Sequence, residues 1–174
     1  MEKYKPINRR RMERVLPHIW DVTDLCDIIE RHGNKTLFRY YEGKDIQSMT
    51  YATFGTQVEA AAAFTAMGLC GEKIAVIGET SPQWVCTYLG ALAAGCVIVP
   101  MDKELDTEEI RRFIAMVDAR AIVYSKSFNE KFIKSISDGD TGIRYFIPIT
   151  PAYDSSFDNK VIAFDQLLTC GRER

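Results

Sequence analysis

The sequence contains only two histidines, His18 and His32, and none of its five cysteines (Cys26, Cys70, Cys86, Cys96, Cys170) is spaced as Cys-x-x-Cys. A zinc centre needs clustered thiolate and imidazole ligands, so this pattern predicts no metal site. An odd number of cysteines without a framework fits a reducing, cytoplasmic setting. Most lie in apolar surroundings, such as "WVCTYLG" and "AGCVIVP", and read as small core residues. Long apolar runs are missing too. The longest window, Tyr88 to Met101, is broken by Gly90, Gly95 and Pro100, well short of the ~20 residues a membrane-spanning helix requires. No apolar segment follows the basic start of the chain, so it does not read as a secretory signal. Excess charge is lacking as well: 22 Lys and Arg against 24 Asp and Glu leave a net charge of −2. That argues against whole-molecule attraction to nucleic acid or an anionic membrane.

What is present is the composition of an ordinary globular chain. Hydrophobic residues make up 47% and charged residues 26% of 174 residues, a length suited to one domain or part of a larger one. A chain of this size buries roughly 70% of its unfolded surface, enough for a real core. Charge is biased at one place only. "MEKYKPINRRRMERV" sets Lys3, Lys5, Arg9, Arg10, Arg11 and Arg14 against Glu2 and Glu13. Residues 1–19 therefore read as a basic arm, solvated in the ordinary case, with weak contact to an anionic membrane surface as the sharper alternative.

From residue 20 onward, short apolar runs alternate with helix-like segments. Thr23 is the expected N-cap of a helix over "DLCDIIERH", closed by Gly33. "TLFRYYEGKDIQSMT" reads as a β-hairpin turning at Glu-Gly-Lys-Asp. Thr50 caps "YATFGTQVEAAAAFTAM", where Val58, Ala61, Phe64 and Ala62, Thr65, Leu69 recur at helical spacing, and Gly68 and Gly71 end it. "KIAVIG" is apolar almost throughout, the mark of a strand buried on both faces. Ser81 and Pro82 form an N-cap and first-turn proline pair that starts a helix running to Gly95. "CVIVP" is the next buried strand, and Thr107 caps "EEIRRFIAMVDA". "AIVYS" and "IRYFIPI" are two further strands around a helix over "FNEKFIKSIS". After the turn-rich "TPAYDSSFDNK", "VIAFDQLLTCGRER" reads as a final helix. This alternation predicts an α/β fold: a Rossmann-like parallel sheet of βαβ units with helices on both faces, plus an N-terminal hairpin.

The turn after "KIAVI" is the natural place to look for a phosphate. Dinucleotide binding asks for G-x-G-x-x-G, whose glycines admit the tight turn, the pyrophosphate and close helix packing. Here the run is Gly78-Glu79-Thr80-Ser81-Pro82-Gln83. Thr80 and Gln83 replace the second and third glycines, Glu79 adds negative charge, and Pro82 removes a donor. The turn reads as a connection within the sheet. No G-x-x-x-x-G-K-[ST] loop and no G-x-S-x-G elbow occurs. Glu108 with Glu109, and Asp102 with Glu104, read as capping and solvation near a helix start rather than a catalytic pair. His32 suits a helix C-terminus, and Trp84 with Tyr88 reads as core or interface. The residues themselves supply no catalytic, cofactor-binding or metal site.

The order of segments nevertheless resembles a family. "GEKIAVIGETSPQWVCTYLGALAAGCVIVPMDKELDTEEIRRFIAMVDARAIVYS" is similar to the N-terminal part of adenylate-forming ligases, the acyl-CoA synthetase group. The resemblance is carried by Thr50-Tyr51 at a helix start, Ser81-Pro82-x-Trp84, the Ala94-Gly95 pair, Val99-Pro100, the Pro100-Met101-Asp102 segment, and the Phe-x-x-Leu-Leu helix from Phe164. It covers residues 20–174 and looks nearest to the bacterial long-chain fatty acid branch. It implies the acyl-CoA synthetase/luciferase fold, with 20–174 as an N-terminal α/β subdomain. It also implies a parent that uses ATP, magnesium and coenzyme A to adenylate a carboxylate and form a thioester. The family's Ser/Thr/Gly-rich ATP loop, adenine and magnesium residues and catalytic lysine have no positions in this sequence, so the chain alone is expected to be inactive.

Two other readings stand beside it. A short non-catalytic interaction or regulatory module on the same scaffold would work through partners, with the basic arm as its contact. A nucleotide-binding Rossmann protein would require NAD or ATP to bind the isolated chain. For a ligase fragment the expected partners are the parent's remaining domains, with self-association through an uncovered sheet edge.

Overall fold

The computed structural model describes residues 22–125, 127, 128, 134–136, 138, 141–149 and 161–172. The basic arm, the "TPAYDSSFDNK" segment and most of the "FNEKFIKSIS" helix lie outside these residues, although 134–136 and 138 are helical. Four strands form a fully parallel sheet: β3 (Lys73–Ile77), β4 (Val97–Met101), β5 (Ala119–Tyr124) and β6 (Tyr145–Pro148), in the order β4-β3-β5-β6. Val161 extends the same sheet through a parallel bridge to Phe146. A separate antiparallel hairpin joins β1 (Thr36–Glu42) to β2 (Asp45–Thr50). Its turn is made by Gly43 at a φ of 64°, a conformation that favours glycine.

The near-continuous apolar runs have a simple cause. Successive residues of a strand point to opposite faces. Ile74 and Val76 enter one cluster and Ala75 and Ile77 the other, all fully buried. The first cluster is covered by α2 (Tyr51–Ala61) through Phe54 and Val58, α3 (Pro82–Ala93) through Cys86 and Ala91, and α5 (Phe164–Arg172) through Leu167 and Leu168. The second is covered by α4 (Thr107–Val117), whose Ile110 and Ile114 lie one helical turn apart, and by Ile136. Each fully buried isoleucine contributes about 1.5–3 kcal/mol relative to exposure. The hairpin docks on the first cluster through Phe38, edge-on to Phe54 with ring centroids 5.3 Å apart. The helix α1 (Val22–His32) closes as expected: Gly33 takes a φ of 48° and its N–H donates to the Ile29 carbonyl at 3.0 Å.

Several expectations about local structure are corrected. The helix α1 begins at Val22, so Thr23 is inside it rather than capping it. The helix capped by Thr50 (Thr53 N–H to Oγ1, 3.1 Å) tightens into a 3₁₀ turn at Ala62–Phe64 and does not run on to Met67. Leu69 reaches the core from the following turn, between Gly68 and Gly71 at positive φ. Asp106, not Thr107, caps α4, because its carboxylate takes the Glu109 N–H at 2.8 Å while Glu109 returns the bond to the Asp106 N–H at 3.0 Å. This is a capping box, and it gives Glu109 a structural task. Finally, β4 is an edge strand, with Val97 51% exposed. Pro100 is compatible with that place because a proline cannot donate to an inner ladder.

Of the four described cysteine side chains, Cys86 and Cys96 are buried, as the apolar contexts suggested, whereas Cys70 and Cys170 are exposed. Burial pushes the Cys86 thiol up to about 12. Among the described residues no helix is long and apolar enough to cross a membrane.

Candidate functional site

The strand order creates one place where an open α/β sheet can accept a ligand. From β3 the chain passes through α3 to β4 on one side, and from β5 it continues to β6 on the other. α3 covers one face and Ile136 the other, so the topology reverses between β3 and β5, and the carboxyl ends of these two strands are where an open α/β sheet has its crevice. Its walls are the Gly78–Ser81 turn and the residues after Tyr124.

Glu79 stands exposed at these strand ends. Its Oε2 accepts a hydrogen bond from Ser125 Oγ and lies 3.2 Å from Ser127 Oγ, while the two serine hydroxyls are 2.7 Å apart. With its own proton given to Glu79, Ser125 accepts from Ser127, whose single proton is shared between Ser125 and the carboxylate. Ser125 is buried at the strand end, with its N–H donating to the Ile77 carbonyl at 3.1 Å. Gly78 makes the approach possible. It has a φ of 131°, and a Cβ there would overlap the Ser125 side chain.

The Ser125 hydrogen bond is the main cause that holds the Glu79 carboxyl below its ordinary range, followed by its own backbone N–H. Ser127 and the Lys103 charge act in the same direction, against a partial desolvation cost. The crevice therefore carries a fixed negative charge at neutral pH. Most of the adjoining helix start is also committed: Ser81 Oγ accepts the Trp84 N–H at 3.1 Å, Ser81 O accepts the Val85 N–H at 3.1 Å, and Pro82 has no N–H. An anionic triphosphate does not fit this arrangement, so no chemical step on ATP is assigned to these residues.

The remaining candidates are not brought together into a site. Glu108 holds Arg111 in a bidentate pair at 2.8 and 3.0 Å, on the exposed surface of α4. Asp102 Oδ1 accepts the Glu104 N–H at 3.0 Å and shapes the turn before α4. His32 packs its ring 4.8 Å from that of Tyr51 at the end of α1. Trp84 and Tyr88 stack with centroids 5.5 Å apart, Trp84 lying against the first core cluster. His18 lies outside the described residues. Sequence reasoning weighed Glu79 but missed Ser125 and Ser127. The available signal was the pair of serines at the end of the "AIVYS" strand, which a parallel sheet sets beside the turn after its neighbour.

Comparison with known proteins decides the family. The AMP-binding enzyme family matches residues 27–159, which include the four strands β3 to β6. The chain belongs to the AMP-binding enzyme family. The polyketide synthase-nonribosomal peptide synthetase ffsA of Aspergillus flavipes is 26% identical over 120 residues, covering 67% of this chain and 3% of that protein. The mitochondrial medium-chain acyl-CoA ligase ACSF2 of Macaca fascicularis is 28% identical over 82 residues, covering 46% of this chain and 13% of that protein. Among solved structures, the A-PCP didomain of carboxylic acid reductase from Segniliparus rugosus, in complex with AMP, has a TM-score of 0.72 at 14% identity. That likeness covers 92% of this chain and 28% of the didomain, and it concerns the fold. The chain thus spans 28% or less of the length of each of these proteins.

Proposed function

We propose that residues 20–174 are the N-terminal α/β subdomain of an ATP-dependent acid–thiol ligase, preceded by a basic arm over 1–19. In this reading the parent joins a carboxylate to the AMP moiety of ATP with release of pyrophosphate. The thiol of coenzyme A then displaces AMP to give the acyl thioester. The observation that carries the proposal is the family match over 27–159, and the similarity to an acyl-CoA ligase supports the thioester step. A long-chain fatty acid is the proposed substrate, on the overall resemblance of residues 20–174 to that branch. ATP, magnesium and coenzyme A would be held by parts of the parent beyond the described residues, and these strands would form part of the sheet on which those parts pack. We place the enzyme in the cytoplasm, with the basic arm as a weak contact to anionic membrane surfaces.

The test begins with the mass of the native protein in its source cells. A species several times larger than 19.8 kDa is expected. Once purified, that species should release pyrophosphate from ATP and magnesium with palmitate and form palmitoyl-CoA, faster than with hexanoate or benzoate. A preference for benzoate would overturn the long-chain assignment alone. A native species of about this chain's mass, with no pyrophosphate release, would overturn the ligase reading and leave the interaction module.

A further inference from the structure

Residues 69–72, which lead into β3, run alongside Gly95, Cys96 and Val97, where β4 begins. Gly71 N–H donates to the Gly95 carbonyl at 3.0 Å, and Val97 N–H to the Glu72 carbonyl at 2.9 Å. Cys96 Sγ donates to the Leu69 carbonyl at 3.2 Å, which places the Cys96 sulfur against the Leu69–Cys70 peptide. In return, Cys70 turns its sulfur towards the facing segment: a Cβ built on Gly95 would lie 3.2 Å from Cys70 Sγ. The two thiols therefore belong to neighbouring positions of two hydrogen-bonded segments, and Gly95 leaves the space between the segments free of a side chain. Cys70 is exposed and Cys96 is 5% exposed. The other described cysteines are elsewhere, Cys86 inside α3 and Cys170 on α5.

We propose that Cys70 and Cys96 form a reversible intramolecular disulfide under oxidation, a modification site that clamps the β3-α3-β4 unit. The exposed Cys70 thiol reacts first with a peroxide, whose O–O bond breaks, giving a sulfenic acid and water. Cys96 then attacks the Cys70 sulfur. The S–S bond forms, the S–O bond breaks, and the oxygen leaves as a second water with the Cys96 proton. Two thiols and one hydrogen peroxide thus give one disulfide and two waters, with two electrons passing to the peroxide. The order follows from the environments: burial, with smaller contributions from the charges of Cys70 and Glu72, pushes the Cys96 thiol up to about 11, so it stays protonated and shielded until its neighbour is oxidised. The bond closes a loop containing α3 and so restricts the unfolded chain. A reversible bridge of this kind suits a redox-sensing role in a reducing compartment.

The experiment treats the 174-residue chain with one equivalent of hydrogen peroxide and follows intact mass. The expected result is a monomer lighter by about 2 Da, restored by dithiothreitol, with Cys70 and Cys96 joined in a single peptide after digestion without reductant. Cys96→Ser should abolish that loss and leave Cys70 open to dimedone labelling, while Cys170→Ser should keep it. Should Cys96→Ser not fold, the linkage map of the unaltered chain decides alone. A bridge mapped to Cys26, Cys86 or Cys170, or oxidation of Cys70 to sulfinic acid with no bridge, would overturn the proposal.

Discussion

Ser125 donates a hydrogen bond to Glu79 across the carboxyl ends of the paired strands β3 and β5, joining residues 46 positions apart in the sequence. The contact ties the turn after one strand to the end of its neighbour, at the point where an open α/β sheet leaves room for a ligand. It sets the protein's own anion at that point. Because the folded state holds the Glu79 carboxyl below its ordinary 4.5, ionised Glu79 stabilises the fold above the unfolded carboxyl's pKa. That contribution disappears as pH falls through the lower, folded value. Carbon-detected titration of Glu79 should place its midpoint below 4.5 in the native chain, and Ser125→Ala should move it upward. In parallel, the stability difference between the native chain and Glu79→Gln should shrink on acidification below 4.5. An unchanged midpoint in Ser125→Ala would remove the serine as the cause.

Gly78 offers a second test of the same corner. A side chain there meets two obstacles, a φ of 131° and the Ser125 side chain where its Cβ would stand. Gly78→Ala should therefore destabilise the chain by about 1–3 kcal/mol, the usual cost of holding a residue in a sparsely populated backbone region. Urea unfolding checks it. The side-chain overlap is separable from the backbone term, since Ser125→Gly removes the Oγ and Cβ that collide, leaving only the residue's backbone N at 3.0 Å. In a double-mutant cycle, Gly78→Ala should cost less in the Ser125→Gly background than alone. Additive costs would mean that backbone conformation is the whole effect.

The fold was legible because both faces of the sheet are covered. "IAVI" and "AIVY" show apolar residues at every position only when alternate side chains enter two different cores, as Ile74 and Ala75 do. Ser81-Pro82 and Gly33 were legible because capping is local chemistry. Edge position was not legible: β4 carries Val97, Ile98 and Val99 like an inner strand, and only Pro100 hinted that one side of it lies open. The Glu79–Ser125–Ser127 cluster was hidden for another reason. Its members meet through the crossover that sets β5 beside β3, so the serines after "AIVY" become a signal only once that strand pairing is known.

The start of α4 was misassigned by a single residue, and mutagenesis can separate the two assignments. Asp106→Ala deletes the carboxylate that takes the Glu109 N–H and should cost about 1 kcal/mol, the typical loss for an N-cap. Thr107→Ala alters the first helical residue and should change stability by less than about 0.5 kcal/mol, the range of surface substitutions away from such features. Glu109→Ala should fall between them, because it breaks the returning bond to the Asp106 N–H while leaving the forward one. Equal losses for Asp106→Ala and Thr107→Ala in urea unfolding would contradict the capping box.

The edge of the sheet makes the last prediction. Val97 N–H points inward to the Glu72 carbonyl. A parallel ladder alternates, so Val97, Val99 and Met101 face β3 while Ile98 and Pro100 turn their backbone outward. Outward pairing by a second copy is the proposed route of self-association, and Pro100 limits it by withholding one of the donors a new strand needs. Pro100→Val restores that donor. At equal concentration it should raise the weight-average mass seen by light scattering above that of the unaltered chain. Val97→Lys, which charges the 51% exposed side chain of the same edge, should lower it. If both variants scatter like the unaltered chain, association does not run through β4, and the exposed Phe113 and Met116 on α4 become the surface to change next.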